Sequence, residues 1–296
     1  MNLSSARKGE LFLFGEILLW STFPIITLIT FGNLQALSSL ALSTFFASLF
    51  FGIILTKKGL WKEAFLPGVF KQLLYPAIFI GIIFYSLNYI GLKYTTAGNA
   101  SLVGLMEVFF SYLLFNVWKK ENLNKSHLAG IGLMVTGAAL VLLPKNSGLA
   151  LGDGVILLST AFAPLGNYFQ QKLRKKISAY SIMFWRSFLS FPVILTFAFF
   201  AGQDFSAQEF YGSLWLLLLT GILLMGLSKI FWIEAIHRIS VVKANGLACI
   251  RPLFTLVLAF FLLHEIPTLW QILALVPLGG GVVLLTKPAR EPIASL

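Results

Sequence analysis

The chain is short of charge. Of its 296 residues only 11% are Asp, Glu, Lys or Arg, against 58% hydrophobic, and the mean hydropathy is +0.87. A water-facing surface calls for roughly 25% charged residues. This sequence cannot cover itself with polar groups, so lipid is its solvent. Cysteine is almost missing: the single Cys249 lies inside an apolar run, which excludes a disulfide framework and a thiolate metal site. The three histidines, His127, His237 and His264, stand apart at the ends of apolar runs. No G-x-x-x-x-G-K-[ST], H-E-x-x-H or G-x-S-x-G motif occurs, so nothing supports an ATP-driven or hydrolytic centre. No cofactor is expected. The first apolar run lacks a small-x-small ending, so it is read as a retained helix rather than a signal peptide.

What is present is a series of apolar runs about 20 residues long, the length an α-helix needs to cross a bilayer. Strict alternation, the mark of a membrane barrel, is absent. Backbone groups have no water partner in hydrocarbon, so helices satisfy them internally. Ten spans are expected: Leu11–Phe31, Leu37–Thr56, Leu73–Leu92, Ala97–Trp118, His127–Pro144, Asp153–Lys172, Ala179–Phe200, Gly212–Ile236, Val241–Leu263 and Pro267–Thr286. Asn124 and Thr268 are placed to cap the fifth and tenth. No loop has room for a soluble domain.

The formal net charge is +11. With the N-terminus in the cytoplasm, seventeen basic residues fall on the cytoplasmic side and only Lys93 and Lys145 outside, with Arg186, Lys229 and Arg251 inside spans. That asymmetry is the positive-inside pattern. It accounts for the basic excess without nucleic acid, and it puts both ends in the cytoplasm of an inner-membrane protein.

A repeat underlies the spans. Ile239 to Gly281 lies over Thr95 to Gly137 at a shift of 144, matching Glu265 with Glu121 and Gly281 with Gly137. The units are drawn as 1–148 and 149–296, five spans each, joined through Lys145-Asn146-Ser147-Gly148. Five is odd, so the second unit enters from the opposite side. Inverted repeats of this kind place a solute site at the bilayer midplane between them.

Local motifs carry a likeness. Gly91-Leu92-Lys93-Tyr94-Thr95-Thr96 and its twin Ala235-Ile236-His237-Arg238-Ile239-Ser240 resemble the A-L-x-y-t-s end of a known repeat's third helix. Glu121 with Asn124, His127 and Gly130 is similar to that repeat's E-x-x-t-x-x-q-x-x-G signature. So is Glu265 with Thr268 and Gln271, where Ala274 replaces the glycine. Pro252 and Trp20-Ser21 match further positions. Together these resemble the drug/metabolite transporter superfamily, in its EamA-type ten-helix branch. The resemblance implies a secondary transporter of small metabolites, similar to exporters of amino acids and related compounds. It also leaves open nucleotide-like or phosphorylated metabolites such as S-adenosylmethionine or sugar phosphates. Arg186 matches an arginine frequent in the family's second helix. In the first unit Phe45 and Phe46 occupy that region, and Val108 stands where the proline would be.

Intramembrane charges face a bundle interior and seek partners. Glu107 and Arg251 occupy equivalent midspan positions. Two readings stand: a cavity pair in which Arg251 holds a carboxylate or phosphate and Glu107 an amine or proton, or a salt bridge that fixes helix register. Tyr85 and Asn88, three apart on one helix face, are the equivalents of Lys229 and Trp232, and all four are candidates for the cavity wall. Trp20 offers a stacking surface, as does Trp185. Glu16 is a second candidate proton site beside Glu107, or else a counterion for Lys229. Glu234 is expected to assist Lys229 or to reach for the interface. Asn99 and Asn167 are expected to hydrogen-bond between helices. Glu121 and Glu265 are read as structural, each binding backbone donors of the helix that follows it. The expected partners are a small-molecule substrate and the lipid bilayer, with the chain a monomer or weak homo-oligomer. Competing classes are an intramembrane enzyme, which would need paired acidic or histidine groups at one interface, and a channel, which would need polar rings.

Overall fold

A computed structural model describes residues 4–119, 125–142 and 151–286. Its described residues form ten helical rods. They are α1 (Ser5–Thr30), α2 (Ala36–Lys58), α3 (Val69–Leu92), α4 (97–119), α5 (Lys125–Leu142), α6 (Leu151–Leu173), α7 (Ala179–Phe200), α8 (Ala207–Arg238), α9 (241–263) and α10 (Leu269–Thr286). Seven, namely α1–α4 and α7–α9, are long and apolar enough to cross a membrane, and α5 and α10 contain shorter apolar helices. The exception is α6, whose Asp153, Asn167 and Gln170 are all buried. Around the outside, Phe197, Phe199, Phe200, Phe261 and Val276 point away from the core, as lipid contact requires.

The packing has the symmetry of the repeat. The tightest rod pairs are α5 with α10, α2 with α7, α1 with α8 and α3 with α6. Exchanging the two halves carries the first two pairs into themselves and the last two into each other. Equivalent rods run antiparallel: along α2 and α7, Ser38 meets Gln203, Phe45 meets Phe191 and Gly52 meets Phe184. The two five-helix repeats are therefore inverted. Gly137 and Gly281 allow α5 and α10 to approach: a Cβ on Gly137 would lie 2.5 Å from Leu278, and one on Gly281 2.7 Å from Met134. Gly137 and Gly281 are repeat equivalents, as are Met134 and Leu278.

Four of the departures from regular α-helix come in pairs. α3 is π-helical over Ala77–Phe84 and α8 over Leu219–Leu227, equivalent stretches that end beside Tyr85 and Lys229. The wider π turn gives up i→i+4 hydrogen bonding and re-aims the residues that follow it. Gly81 and Gly221 sit there in close contact with Ser190 of α7 and Ser43 of α2. α4 breaks at Leu105 and α9 through a 3₁₀ turn at Ala248–Ile250, just before Glu107 and Arg251. In α9 the cause is Pro252, which has no N–H to continue the ladder. α1 breaks at Ser21–Thr22 ahead of Pro24. All five irregularities lie in the middle of the molecule.

Several end contacts follow the sequence reading, and others differ. Thr268 caps α10, accepting from Gln271 N–H at 3.2 Å while its own N–H donates to the Gln271 side chain. Asn124 and Glu121 lie outside the described residues. Glu265 does bind a helix start, but not of the helix that follows it. It accepts from Ala97 and Gly98 N–H of α4, in the other repeat, at 3.3 and 3.5 Å. Those are orphan donors of a helix N-terminus, and the inverted fold brings them within reach of Glu265. Glu234 does not assist Lys229. It pairs with Arg174 at 2.8 Å and with Arg238 one turn along α8, because it points to the end of the bundle where those cations gather.

Candidate functional site

Where α1, α3, α4, α6, α7, α8 and α9 converge, the irregular turns leave a cavity with two lobes sharing Trp20, Phe84, Glu107 and Arg251. The first lobe, about 80 Å³ to the centre of a water molecule, adds Asn88, Ser101, Thr160 and Thr255. The second, about 50 Å³, adds Glu16, Tyr85, Asn167, Gln170, Arg186, Lys229 and Trp232. One water needs roughly 10–15 Å³ by this measure, so both lobes have room for water or the polar end of a small solute.

Eight residues singled out from the sequence line this cavity: Trp20, Asn88, Glu107 and Arg251 on the first lobe, and Glu16, Tyr85, Lys229 and Trp232 with the shared residues on the second. Glu16 is the counterion of Lys229, one of the two readings offered for it, and Glu107 and Arg251 form no salt bridge with each other. Glu107 and Arg251 face the same space, but the ion-pair partner of Arg251 is Glu16, at 2.5 Å. The other oxygen of Glu16 takes Lys229 Nζ at 3.0 Å, and Glu16 is fully buried. One carboxylate from α1 thus holds a cation from each of α8 and α9. The reason is placement: Glu16 lies below the break in α1, level with the start of the regular turns that carry Lys229 and Arg251.

Glu107 is held differently. Its Oε1 accepts from the Asn167 amide at 2.8 Å. Asn167 Oδ1 accepts in turn from Trp232 Nε1 at 2.9 Å and Gln170 Nε2 at 3.1 Å. Gln170 Oε1 then takes a hydrogen bond from Arg186 Nη1 at 3.3 Å. A chain of neutral amides on α6 therefore runs from the carboxylate of α4 to the guanidinium of α7. Asn167 hydrogen-bonds between helices as expected, and so does Asn99, which donates to Asp153 and accepts from Gln271.

Aromatic faces complete the walls. Lys229 Nζ sits 3.1 Å from the centre of the Trp20 ring, Arg251 Cζ 5.3 Å from that of Trp232 and Arg186 Cζ 5.6 Å from that of Tyr85. Each cation meets the negative face of a ring. Trp185 does not reach the cavity; it packs against Phe70 and Phe184.

Gln170 and Thr160 escaped the sequence reading, while Asn167 entered it as an interhelical hydrogen-bonding group and Arg186 as a charge inside a span that matches a family arginine. A signal was there. Thr160, Ala163, Asn167 and Gln170 recur at three- and four-residue spacing, a polar and small stripe along one face of α6. The arrangement can hold a small molecule bearing charge of either sign, orient it by hydrogen bonds and shield it from lipid. Among the described residues no group of three His, Cys, Asp or Glu is placed to bind a metal ion.

Comparison with known proteins agrees with this geometry. The chain resembles the uncharacterized transporter YojE of Bacillus subtilis (strain 168), 24% identical over 273 residues, covering 90% of this chain and 89% of that one. It also resembles the uncharacterized transporter YoaV of the same organism, 23% identical over 236 residues and 78% of each chain. A crystal structure with 16% sequence identity superposes at a TM-score of 0.66 over 93% of this chain and 95% of the other, which shows a common fold. The model of the EamA-like transporter family matches twice, over residues 7–143 and 150–287, one match per five-helix repeat. With two copies of that unit facing each other across a charged cavity, the chain belongs to the EamA-like transporter family and is a multi-pass membrane transporter.

Proposed function

We propose that this chain is a secondary transporter that exports a small zwitterionic metabolite, an amino acid or a close relative, through the cytoplasmic membrane. Both termini face the cytoplasm, and the repeats divide at 148/149. The observation that carries the reading is the shared cavity, which places Glu107, free of any close cation partner among the described residues, opposite cations and aromatic faces. A substrate ammonium meets Glu107, and its carboxylate meets the cations. Alternating access follows from rocking one repeat against the other about this site. Two sets of ties would open in turn. At the face where α1 begins, Glu63 accepts from Ser178 and Ser181, and Glu234 binds Arg174 and Arg238. At the opposite face, Asp153 is tied to Thr95 and Asn99, and Gln271 to Asn99.

A second reading, a phosphorylated or nucleotide-like metabolite, draws on one observation: the second lobe has three cations, Arg186, Lys229 and Arg251, against two carboxylates. Proteoliposomes decide between them. Under the first reading, radiolabelled amino acid enters with saturation, unlabelled amino acids compete, and sugar phosphates do not. Glu107→Gln and Arg251→Gln each cut flux at least about tenfold, the loss of one charged contact of roughly 1.4 kcal/mol. Unchanged saturable flux in both variants removes the site assignment, and competition by phosphates alone selects the second reading.

A further inference from the structure

Arg186 lies inside the bundle with no carboxylate to meet it. It stands two turns into α7, is only 2% exposed, and lines the second lobe between Tyr85 of α3 and Gln170 of α6. Only neutral groups meet it, Gln170 Oε1 at 3.3 Å and, in looser geometry, the Tyr85 phenol, and its Nη2 is buried with no well-formed hydrogen bond. Both carboxylates of the lobe are engaged elsewhere, Glu16 by Lys229 and Arg251 and Glu107 by Asn167. The guanidinium remains charged at any accessible pH and presents five donors in a planar fork. A buried ion without a counterion costs several kcal/mol, and in a membrane it faces a cavity and a partner. The fold itself does not demand the charge, because the equivalent position in the first repeat is Leu42, also buried. The lobe is one negative charge short, and the vacant donor is on its wall.

We propose that Arg186 is the seat of an anion-binding subsite in the second lobe, which takes a small monovalent anion: a carboxylate or a halide. The fork geometry suits a carboxylate, and the Tyr85 ring closes one face of the guanidinium. Where the anion is the substrate's own carboxylate, the inference rests on the transport reading above and makes Arg186 foremost among the cations that hold that end, since Arg251 already shares Glu16 with Lys229. Anion binding itself requires no flux.

The test is thermal unfolding of the purified chain in detergent, titrated with sodium acetate or sodium chloride. Ionic strength is held constant with a bulky sulfonate buffer salt too large for the lobe. A ligand that binds only the folded state raises the melting temperature saturably. The wild type is expected to respond, Lys175→Gln at an exposed turn to respond equally, and Arg186→Gln to lose at least about tenfold in apparent affinity. If Arg186→Gln does not fold, Arg186→Lys keeps the charge without the fork and is expected to weaken acetate more than chloride. A response to acetate alone supports a substrate carboxylate as occupant, and a response to chloride as well supports a small-anion site. No saturable response in the wild type, or one unaltered in both Arg186 variants, overturns the proposal. A chain that binds acetate through Arg186 yet moves nothing across liposomes sinks only the transport reading. One that transports without any anion response sinks only the subsite.

Discussion

The two carboxylates of the cavity differ in what depends on them. Glu16 is the sole ion-pair partner of Lys229 and Arg251 among the described residues, so its charge holds α1, α8 and α9 together. Glu107 is met by a neutral amide, so its charge is available. Removing one partner of a buried ion pair costs about 3–5 kcal/mol because the other is left uncompensated. Glu16→Gln is therefore expected to lower the melting temperature sharply in detergent, while Glu107→Gln melts close to the wild type and loses flux. Equal melting of the two variants would show that Glu16 is not the organising counterion. The sequence made the individual charges legible, since a charge in an apolar run stands out. It paired Glu107 with Arg251 through repeat equivalence. The actual pairing runs between residues 213 and 235 positions apart, and no local pattern encodes which rods stand side by side.

At the scale of the element, the helix ends and breaks are what build the site. Equivalent π-helical stretches in α3 and α8 deliver Tyr85 and Lys229 to the wall of the second lobe, and the breaks in α4 and α9 free Glu107 and Arg251 from a continuous ladder. Pro252 and Pro24 stand at two of these breaks, although the spans containing them were drawn as unbroken. Pro76 stands directly before the π stretch of α3, whereas the equivalent stretch of α8 has no proline beside it. The cap that Glu265 places on α4 is the cross-repeat contact of this scale. A side chain that satisfies N-terminal donors contributes roughly 0.5–2 kcal/mol. Glu265→Ala is thus expected to lower stability by about that much in thermal unfolding, and Glu265→Gln, which keeps an acceptor, by less. If the alanine variant melts with the wild type, the cap carries no energy.

At the scale of the molecule, inversion is the organising fact. The self-paired contacts α2 with α7 and α5 with α10 lie on the axis that exchanges the halves, and the cavity lies between them. Ten traversals return the chain to the face from which it started, whereas an odd count would not. In a background where Cys249 is replaced by serine, a cysteine at Ser4 and one just after Thr286 are expected to react only after the membrane is permeabilised. A cysteine at the exposed Lys93 reacts from outside the intact cell. Labelling of the two ends from opposite sides would break the inverted arrangement and the alternating-access proposal with it.

By itself the sequence determined the solvent, the ten spans, the duplication and, through the odd number of spans per copy, the inversion. Each of these is additive along the chain: hydropathy sums over a window, and parity follows from counting. Only the tertiary structure decided that Glu16 is shared by two cations, that Glu107 is tied to amides on α6, and that Arg186 is left short of a counterion. Those outcomes depend on approaches of about 3 Å between rods far apart in sequence. In a medium with little dielectric screening, such distances settle which charges are satisfied and which remain free to bind a solute.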